Sequence, residues 1–341
     1  MKFEIIDADG HVSETWEQLQ KYLDEPYRRR PTNFPYFPQD GWDRRLRGTL
    51  GHHAGDGKAW LEALDQGGMA ISVLYTTLGL FMPFVRDPEW AIVLTKAYNT
   101  LLYEEFTKVD LARLKGVALL APHDVDEAVK ELRRCVTQYG FVGAMLPADG
   151  YYLLGHRRFD PIYAEAQRLD VPVAFHASGT DISITAGFEP FPKFIQAHTM
   201  SHISGQMRQM VSTIFEGVPA RFPNLRLAYL EAGVGWIPYF VQRMDEEFEK
   251  RGHIEAPALT KLPSEYIRSG NVYVSCEGDE NLLPQAIGYL GADQILYASD
   301  FPHWDHSYPK SLKEIADRPD VSDEHKRKIF SENPRRLYRM R

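Results

Sequence analysis

Five residues that commonly bind metal ions or move protons each stand where an apolar run of the sequence stops. They are Asp9 and His11 on either side of one glycine, His176, Glu231 and Asp300. Carboxylates and imidazoles together suit zinc, iron(II) or manganese(II) as ligands. A divalent ion of this kind activates water or polarises a carboxylate or carbonyl group. The constellation therefore predicts a metal site and metal-assisted chemistry, with Zn, Fe(II) or Mn as the cofactor.

Each of these residues also has another interpretation. Glu231 can be a ligand or a base, and Asp300 can bind the metal or take a proton from water on it. A helix or turn cap is the alternative for Asp300, and a turn with a surface histidine is the alternative for Asp9 and His11. Taken alone, His176 could be a hydrogen-bonded structural histidine.

His198 and His202 are spaced i, i+4, which places both on one face of a helix and allows them to chelate a metal. If either ring points into the site beside Glu231, the site could hold two ions rather than one, with a bridging water between them. We therefore add both histidines to the candidate ligands. His202 also joins Asp300 and Glu231 as a candidate catalytic residue. A solvated or structural pair is the alternative.

Several other residues are weaker candidates for the site. Glu14 could cap a helix, bind the metal or hydrogen-bond a ligand. His303 and His306 lie just beyond Asp300 and either shape substrate binding or are structural. Four further residues are interpreted as solvated loop or surface positions: Glu277, Asp279, His52 and His53.

The elements that must position these residues are short apolar runs that alternate with stretches of helical period. We predict strands at residues 3–8, 70–75, 115–120, 142–146, 171–175, 225–230, 272–275 and 295–298. We predict helices between them at residues 89–108, 125–139, 161–169, 237–250, 282–290 and 323–330.

This alternation indicates right-handed βαβ units and a closed parallel barrel, an α/β protein with a (β/α)8 TIM-type fold. Active sites of such barrels gather at the carboxyl ends of the strands, which is where the five residues stand. A doubly wound open sheet is the competing architecture, but no Gly-x-Gly-x-x-Gly follows the first strand.

One segment interrupts the alternation: residues 16–57 are rich in Pro, Arg, Gly and aromatic residues. Loops of this length without clear structure are usually functional or disordered, and the aromatic residues argue against disorder. We predict a cap insertion over the barrel mouth, with an outer wrap or an oligomer contact as the alternative. No repeat or linker marks a boundary, so residues 1–341 are predicted to form one domain.

Composition narrows the classes of function. The 341 residues are 44% hydrophobic, enough for a large core, and the net charge of -8 with scattered Lys and Arg argues against a nucleic-acid partner. The two cysteines, Cys135 and Cys276, lack the spacing of a disulfide framework or a thiolate zinc site. No membrane helix or signal peptide is recognisable. We predict a cytoplasmic protein that acts on a small molecule, without a membrane partner.

These stretches, taken in order, resemble the amidohydrolase superfamily, in the branch of aminocarboxymuconate-semialdehyde decarboxylase and the dihydroxybenzoate decarboxylases. The resemblance runs nearly end to end and rests on DADGH at 7–11, RFPNL at 221–225, GWIP at 235–238, ASDFPH at 298–303 and NPRRLY at 333–338. It implies a distorted (β/α)8 barrel whose metal is held by Asp9, His11, His176 and Asp300. Barrels of this kind often pair, so a homodimer is the expected assembly.

Two departures from the family pattern bear on the chemistry. Many relatives carry His-x-His on the first strand, whereas this chain has Asp9-x-His11, which keeps a metal plausible and weakens the case for zinc. Decarboxylating and deaminating relatives usually carry a histidine at the end of the sixth strand, where this chain has Glu231. Transfer of their proton-handling step therefore depends on Glu231.

We predict a metal-dependent hydrolase or decarboxylase of a small apolar or aromatic carboxylated substrate. Hydrolysis follows if activated water attacks, and decarboxylation follows if the metal orients a carboxylate while Glu231 or Asp300 moves a proton. A non-haem iron oxygenase with one or two irons is the alternative, because Glu231 and the His198/His202 pair could complete an iron site. A non-catalytic small-molecule binding protein on the same barrel is the second alternative.

Overall fold

The computed structural model describes residues 3–30, 55–177, 191, 193–303 and 305–340. Eight parallel strands form one sheet, in which each strand pairs with the next along the chain. The strands are β1 (Ile6–Val12), β2 (Ile71–Thr76), β3 (Leu114–Leu119), β4 (Gly143–Pro147), β5 (Val173–His176), β6 (Leu227–Leu230), β7 (Val272–Cys276) and β8 (Ile295–Tyr297). Backbone hydrogen bonds join the two ends of the sheet. The Asp300 amide donates to the Asp9 carbonyl (3.0 Å), and the His11 amide donates to the Phe301 carbonyl (2.7 Å). The predicted (β/α)8 barrel is confirmed.

Helices cover the outside of the barrel. Those in the described ranges are α1 (Trp16–Gln20), α2 (Gly57–Gly67), α3 (Pro88–Leu101), α4 (Val125–Arg134), α5 (Asp160–Arg168), α6 (Phe194–Phe215), α7 (Val218–Arg221), α8 (Ile237–Glu255), α9 (Pro263–Ile267), α10 (Leu283–Leu290), α11 (Lys310–Ala316), α12 (Asp323–Arg327) and α13 (Asn333–Tyr338). Each predicted helix overlaps an observed one. The predicted ranges do not include α1, α2, α6, α7, α9, α11 or α13. None of the helices in these ranges is both long and apolar enough to cross a membrane.

The strands are covered on both faces, which explains their apolar sequences. Every residue of β1, β4, β5, β6, β7 and β8 is buried. Helices exclude water from the outer face, and packed side chains fill the barrel interior. Tyr75, Phe175 and Tyr229 are among the large rings that are fully or almost fully buried. The strand ends therefore project from a tightly packed frame.

β1 departs from regular pairing where it carries its two candidate ligands. Its register against β2 shifts between Asp7 and Gly10. A β-carbon at position 10 would lie 2.5 Å from Ser72 Oγ and 2.7 Å from Asp7 Oδ2, so a larger residue does not fit without movement of its neighbours. Irregularities of this kind re-aim side chains beside active sites. Gly10 thus allows the irregular pairing of β1 at the point where the side chains of Asp9 and His11 project from the strand.

The predicted cap insertion at residues 16–57 is described only at its two ends. Near its start, Trp16 lies edge-on to Trp90 of α3, with ring centroids 6.4 Å apart, so this end packs against the outer helical layer. Residues 31–54, with His52 and His53, lie outside the described residues. A cap over the barrel mouth and a single domain over residues 1–341 stay predictions.

Candidate active site

The carboxyl ends of four strands bring the five predicted residues together. Asp9 and His11 lie in the second half of β1, and His176 is the last residue of β5. Glu231 directly follows β6, and Asp300 lies just beyond the end of β8. Because parallel strands of a barrel end at one rim, residues that are distant in the sequence meet there.

Nitrogen and oxygen atoms of these residues approach one another closely. His11 Nε2 lies 3.6 Å from Asp9 Oδ1 and 3.5 Å from Asp300 Oδ1. His176 Nε2 lies 3.1 Å from the same Asp9 oxygen. Ligands that bind one ion at about 2.1 Å lie roughly 3 Å from each other. These spacings therefore suit a shared divalent ion.

Buried atoms without a hydrogen bond mark the same point. In the described part of the chain, Asp9 Oδ2, His11 Nε2 and Glu231 Oε2 are buried and have no hydrogen-bond partner. An unsatisfied buried polar atom costs about 1–3 kcal/mol, and a charged one costs more. A cation bound among these atoms would remove that cost, so the residues present fit a metal ion.

The second nitrogen of each histidine is fixed by a backbone carbonyl. His11 Nδ1 lies 2.8 Å from the Thr76 carbonyl oxygen, and His176 Nδ1 lies 2.8 Å from that of Ala177. A carbonyl can only accept, so Nδ1–H is the donor in both contacts and Nε2 faces the cluster. Histidine ligands in metal sites are commonly oriented in this way.

The ligand geometry favours one ion over two. Among the described residues, two groups of side chains have ligand atoms within 4.8 Å of one another: Asp9, His11 and His176, and also His11, Glu231, Asp300 and His303. His11 belongs to both groups, and its Nδ1 is already bonded to the Thr76 carbonyl. One remaining nitrogen lone pair binds one ion, so His11 can complete only one of the two groups at a time.

His303 is part of this centre, although from the sequence it is only a weak candidate. Its Nδ1 lies 2.7 Å from Asp300 Oδ1 and 3.3 Å from Glu231 Oε1. Its ring stacks on His11, with centroids 3.9 Å apart. The signal that points to it is its place three residues after Asp300 in the string that follows β8.

Burial and neighbouring charges shift the pKa values of the ionisable side chains in this cluster. Although burial opposes it, the Asp9 and Glu231 carboxylates raise the pKa of His176 to about 9. Burial also works against ionisation of Asp300, yet the His303 imidazole holds the pKa of that carboxyl well below its usual range. Burial and then the charge of Asp300 raise the pKa of Glu231 to about 8. The two carboxyl groups are therefore shifted in opposite directions, so that of the two Glu231 holds a proton more readily and Asp300 gives it up more readily.

His198 and His202 line the cavity beside this centre but belong to neither ligand group. His202 Nε2 lies 3.7 Å from Glu231 Oε2, and His198 Nε2 lies 3.6 Å from Asp305 Oδ2. Burial and the neighbouring His198 lower the pKa of His202 to about 3, so His202 is neutral at pH 7. The structure thus puts His202 next to Glu231. Metal binding by either histidine stays a prediction.

Glu14 supports the site from behind rather than entering it. Its carboxylate accepts hydrogen bonds from the Thr77 amide (3.1 Å), the Leu78 amide (2.9 Å) and the Thr76 hydroxyl. The loop after β2 is thereby held in place, directly beyond Thr76, the last residue of β2, whose carbonyl orients His11. Of the three roles predicted for Glu14, these contacts match a cap, since the amides open the helical turn at Leu78–Phe84. Contact with a metal or a ligand stays a prediction.

A cavity of about 450 Å³ opens onto Glu231 and Asp300. Its described lining contains acidic and imidazole side chains but neither Lys nor Arg. Besides residues already placed in the site, the polar side chains of this lining include Glu277, Asp279, Asp305 and His306. Glu277 and Asp279 are exposed, as expected, but they border the cavity rather than a remote surface.

Comparison with known proteins identifies the family of the chain. The sequence model of the amidohydrolase family matches residues 70–340. A gamma-resorcylate decarboxylase from Rhodococcus jostii (strain RHA1) is 27% identical over 275 residues, which cover 75% of this chain and 79% of that protein. A 2-keto-4-carboxy-3-hexenedioate hydratase from Sphingobium sp. strain SYK-6 is 26% identical over 364 residues, covering 98% of this chain and 96% of that protein.

A solved structure shares the fold. The 5-carboxyvanillate decarboxylase of Novosphingobium aromaticivorans DSM 12444, in complex with manganese and 4-hydroxy-3-methoxy-5-nitrobenzoic acid, aligns with a TM-score of 0.74 at 19% identity over 99% of this chain and 97% of that chain. These comparisons lend no support to the iron oxygenase alternative. The family match runs from β2 to α13 and so includes all the strands but the first. The chain is therefore an enzyme of the amidohydrolase superfamily, in the branch of aminocarboxymuconate-semialdehyde decarboxylase and the dihydroxybenzoate decarboxylases.

Proposed function

We propose that this enzyme decarboxylates a phenolic aromatic acid with the help of a manganese ion. The observation that carries the proposal is the convergence of Asp9, His11, His176 and Asp300 beside Glu231, whose Oε2 has no hydrogen-bond partner in the described part of the chain. Relatives are named as decarboxylases of gamma-resorcylate and 5-carboxyvanillate, and the second was solved with manganese. Two carboxylates and two imidazoles, without thiolates, also suit this ion.

In this mechanism Glu231 is the proton donor. An ion held by Asp9, His11, His176 and Asp300 would supply the positive charge that binds a substrate carboxylate. When the bond between the ring carbon and the carboxylate breaks, carbon dioxide leaves and the ring carbon receives the proton of Glu231.

The protein also offers a route for the proton to return. Burial and then the charge of Asp300 raise the pKa of Glu231, which makes this carboxyl a better proton donor than an ordinary glutamate. Afterwards the Glu231 carboxylate must regain a proton from solvent. Neutral His202 lies 3.7 Å from Glu231 Oε2 and also lines the cavity, so it is placed to relay that proton.

The charge of the cavity favours one class of acid. Its described lining has no cation of its own, so a second carboxylate on the substrate would face Glu277, Asp279 and Asp305 without compensation. Ring hydroxyl groups, in contrast, can donate hydrogen bonds to these carboxylates. We therefore propose a substrate with one carboxylate and at least one hydroxyl group on the ring.

Hydration is the second candidate, because the hydratase relative matches nearly the whole chain. In that case water, rather than the ring carbon, would exchange a proton with Glu231. The acidic cavity argues against the hydratase's own substrate, whose name contains three carboxylate groups. Decarboxylation is accordingly the function that we put first.

The test is carbon dioxide release from manganese-loaded protein. We expect release from 2,6-dihydroxybenzoate, none from unsubstituted benzoate and little from the dicarboxylate 5-carboxyvanillate, and one deuterium at the former carboxyl position when the reaction runs in D2O. Asp300→Asn, loaded in parallel, is the inactive control. If fully loaded protein releases nothing from a panel of hydroxybenzoates but adds water to an unsaturated keto acid, hydration replaces decarboxylation. Dioxygen consumption by ferrous protein would revive the oxygenase.

A further inference from the structure

His303 has a polar partner at both ring nitrogens. Nε2 lies 2.9 Å from Thr77 Oγ1, in the loop after β2, and Nδ1 faces Asp300 and Glu231. Only 12% of the His303 side chain is exposed, and the ring stacks on His11. His303 therefore connects the loop after β2 with the two carboxylates that follow β6 and β8.

Stacking alone does not decide which edge of the ring meets the carboxylates. Half a turn about the Cβ–Cγ bond keeps the ring in its plane, and thus keeps the stack on His11, but it exchanges Nδ1 with a C–H group. The Thr77 hydroxyl removes this freedom, because it can hydrogen-bond to Nε2 but not to carbon. A hydroxyl both donates and accepts, so it pairs with Nε2 whether or not that nitrogen carries a proton.

Thr77 is itself firmly held. Its amide donates to Glu14 Oε2 at 3.1 Å, and the Leu78 amide donates to the other oxygen of the same carboxylate at 2.9 Å. Glu14 is almost fully buried. The main chain that carries the Thr77 side chain is therefore held independently of the His303 ring.

The consequence is a difference between the two oxygens of Glu231. Oε1 accepts a hydrogen bond from His303 Nδ1 at 3.3 Å. Oε2 lies 3.3 Å from His176 Nδ1, but that nitrogen donates its proton to the Ala177 carbonyl, so Oε2 has no hydrogen-bond partner among the described residues. Glu231 also lines the cavity. We propose that Thr77 is a positioning residue that acts through His303: it turns Nδ1 toward Glu231 Oε1 and so leaves Oε2 as the oxygen that moves the proton. This inference rests on the proposed function, because it takes Glu231 as the proton carrier.

Three variants of the manganese-loaded enzyme test the proposal. Thr77→Val removes the hydroxyl at nearly constant volume, Thr77→Ser keeps it, and Thr137→Val repeats the chemical change at an exposed residue of the turn that extends α4. Thr77→Ala is a second removal in case Thr77→Val does not fold. The measurements are kcat and KM with 2,6-dihydroxybenzoate, manganese per chain, and crystal structures of wild type and variants.

We expect Thr77→Val to keep its manganese and its KM within about twofold, and to lower kcat on the order of 10- to 100-fold, the range for a misplaced catalytic group. Its crystal structure should show the contact between His303 Nδ1 and Glu231 lost, whereas Thr77→Ser and Thr137→Val should match wild type. The proposal is overturned if Thr77→Val keeps its kcat, keeps the contact, or loses manganese in step with kcat. If wild type itself releases no carbon dioxide, the proposed function fails, and the crystal structures still decide whether Thr77 orients His303.

Discussion

Replacing Glu231 by glutamine tests the proton step with the least change of shape. The amide has nearly the size of the carboxyl group and keeps an oxygen for the contact with His303, but it has no acidic proton to give. Acid–base groups contribute about 10²- to 10⁴-fold to enzymatic rates, which is about 3–5 kcal/mol of transition-state stabilisation. We expect kcat for 2,6-dihydroxybenzoate to fall by this factor. Manganese content should not change, because the four proposed ligands remain.

The pH profile adds a second signature of Glu231. Burial and then the charge of Asp300 raise the pKa of this carboxyl to about 8, so its protonated fraction falls as the pH rises through that value. Wild-type kcat should therefore decline on the alkaline side, and Glu231→Gln should lack the decline. A cation bound beside Glu231 lowers this pKa, so the decline in loaded enzyme should begin at lower pH.

The assay is carbon dioxide release across the neutral and alkaline range, with metal analysis of each sample. Glu249→Gln is the matched control, since Glu249 is exposed on α8, the helix that follows β6 through a short loop. A kcat for Glu231→Gln within about threefold of wild type would refute the role of proton donor, given the size expected for such a group. Loss of manganese together with activity would instead make Glu231 a ligand.

Three further predictions concern the metal and the neighbouring histidines. Asp300→Asn and His176→Ala should each lower bound manganese and abolish turnover; full metal and full rate in both would contradict the ligand assignment. Chelation should abolish turnover and lower Tm, and added manganese should restore both, whereas an unchanged Tm would mean that the folded protein does not bind the ion. His202 is 21% exposed, and its pKa is depressed from 6.5 to about 3, so the stability that it contributes is lost as the pH falls below 6.5. Between pH 7 and about pH 4.5, the free energy of unfolding of metal-free His202→Gln, measured with urea, should therefore fall by about 3 kcal/mol less than that of metal-free wild type. Equal decreases in the two proteins would refute the burial argument.

The barrel is predictable from the sequence because its strands are buried on both faces and read as continuous apolar runs. For β1, the apolar pattern does not give the bounds of the strand correctly. Its predicted range is 3–8, but the observed strand is Ile6–Val12, since Asp9, Gly10 and His11 interrupt the apolar pattern. The sequence pattern does not predict α2 either, because this helix begins and ends with glycine.

The site is predictable where a polar residue lies at or close to the end of an apolar run. Glu231 and Asp300 meet this condition, and the structure brings them together. His303 reaches the same place through a turn, in which its amide donates to the Asp300 carbonyl at 2.9 Å and folds it back over the site. Thr77 follows β2, whose end carries no charged residue. Neither hydrophobic period nor strand-end position reveals contacts of this kind.

Backbone strain explains how two carboxylates come to face each other before any ion binds. Glu231 and Asp300 have φ values of 60° and 53°, in the left-handed region, at a cost of about 1–3 kcal/mol each. Hydrogen bonds of the frame hold both: the Glu231 amide donates to Ser275 Oγ at 2.9 Å, and the Asp300 amide donates to the Asp9 carbonyl at 3.0 Å. Burial, and then the charge of Asp300 beside His303, raise the pKa of Glu231. The strained backbone thus brings together two carboxyl groups whose pKa values are shifted in opposite directions, a separation that marks acid and base roles in active sites.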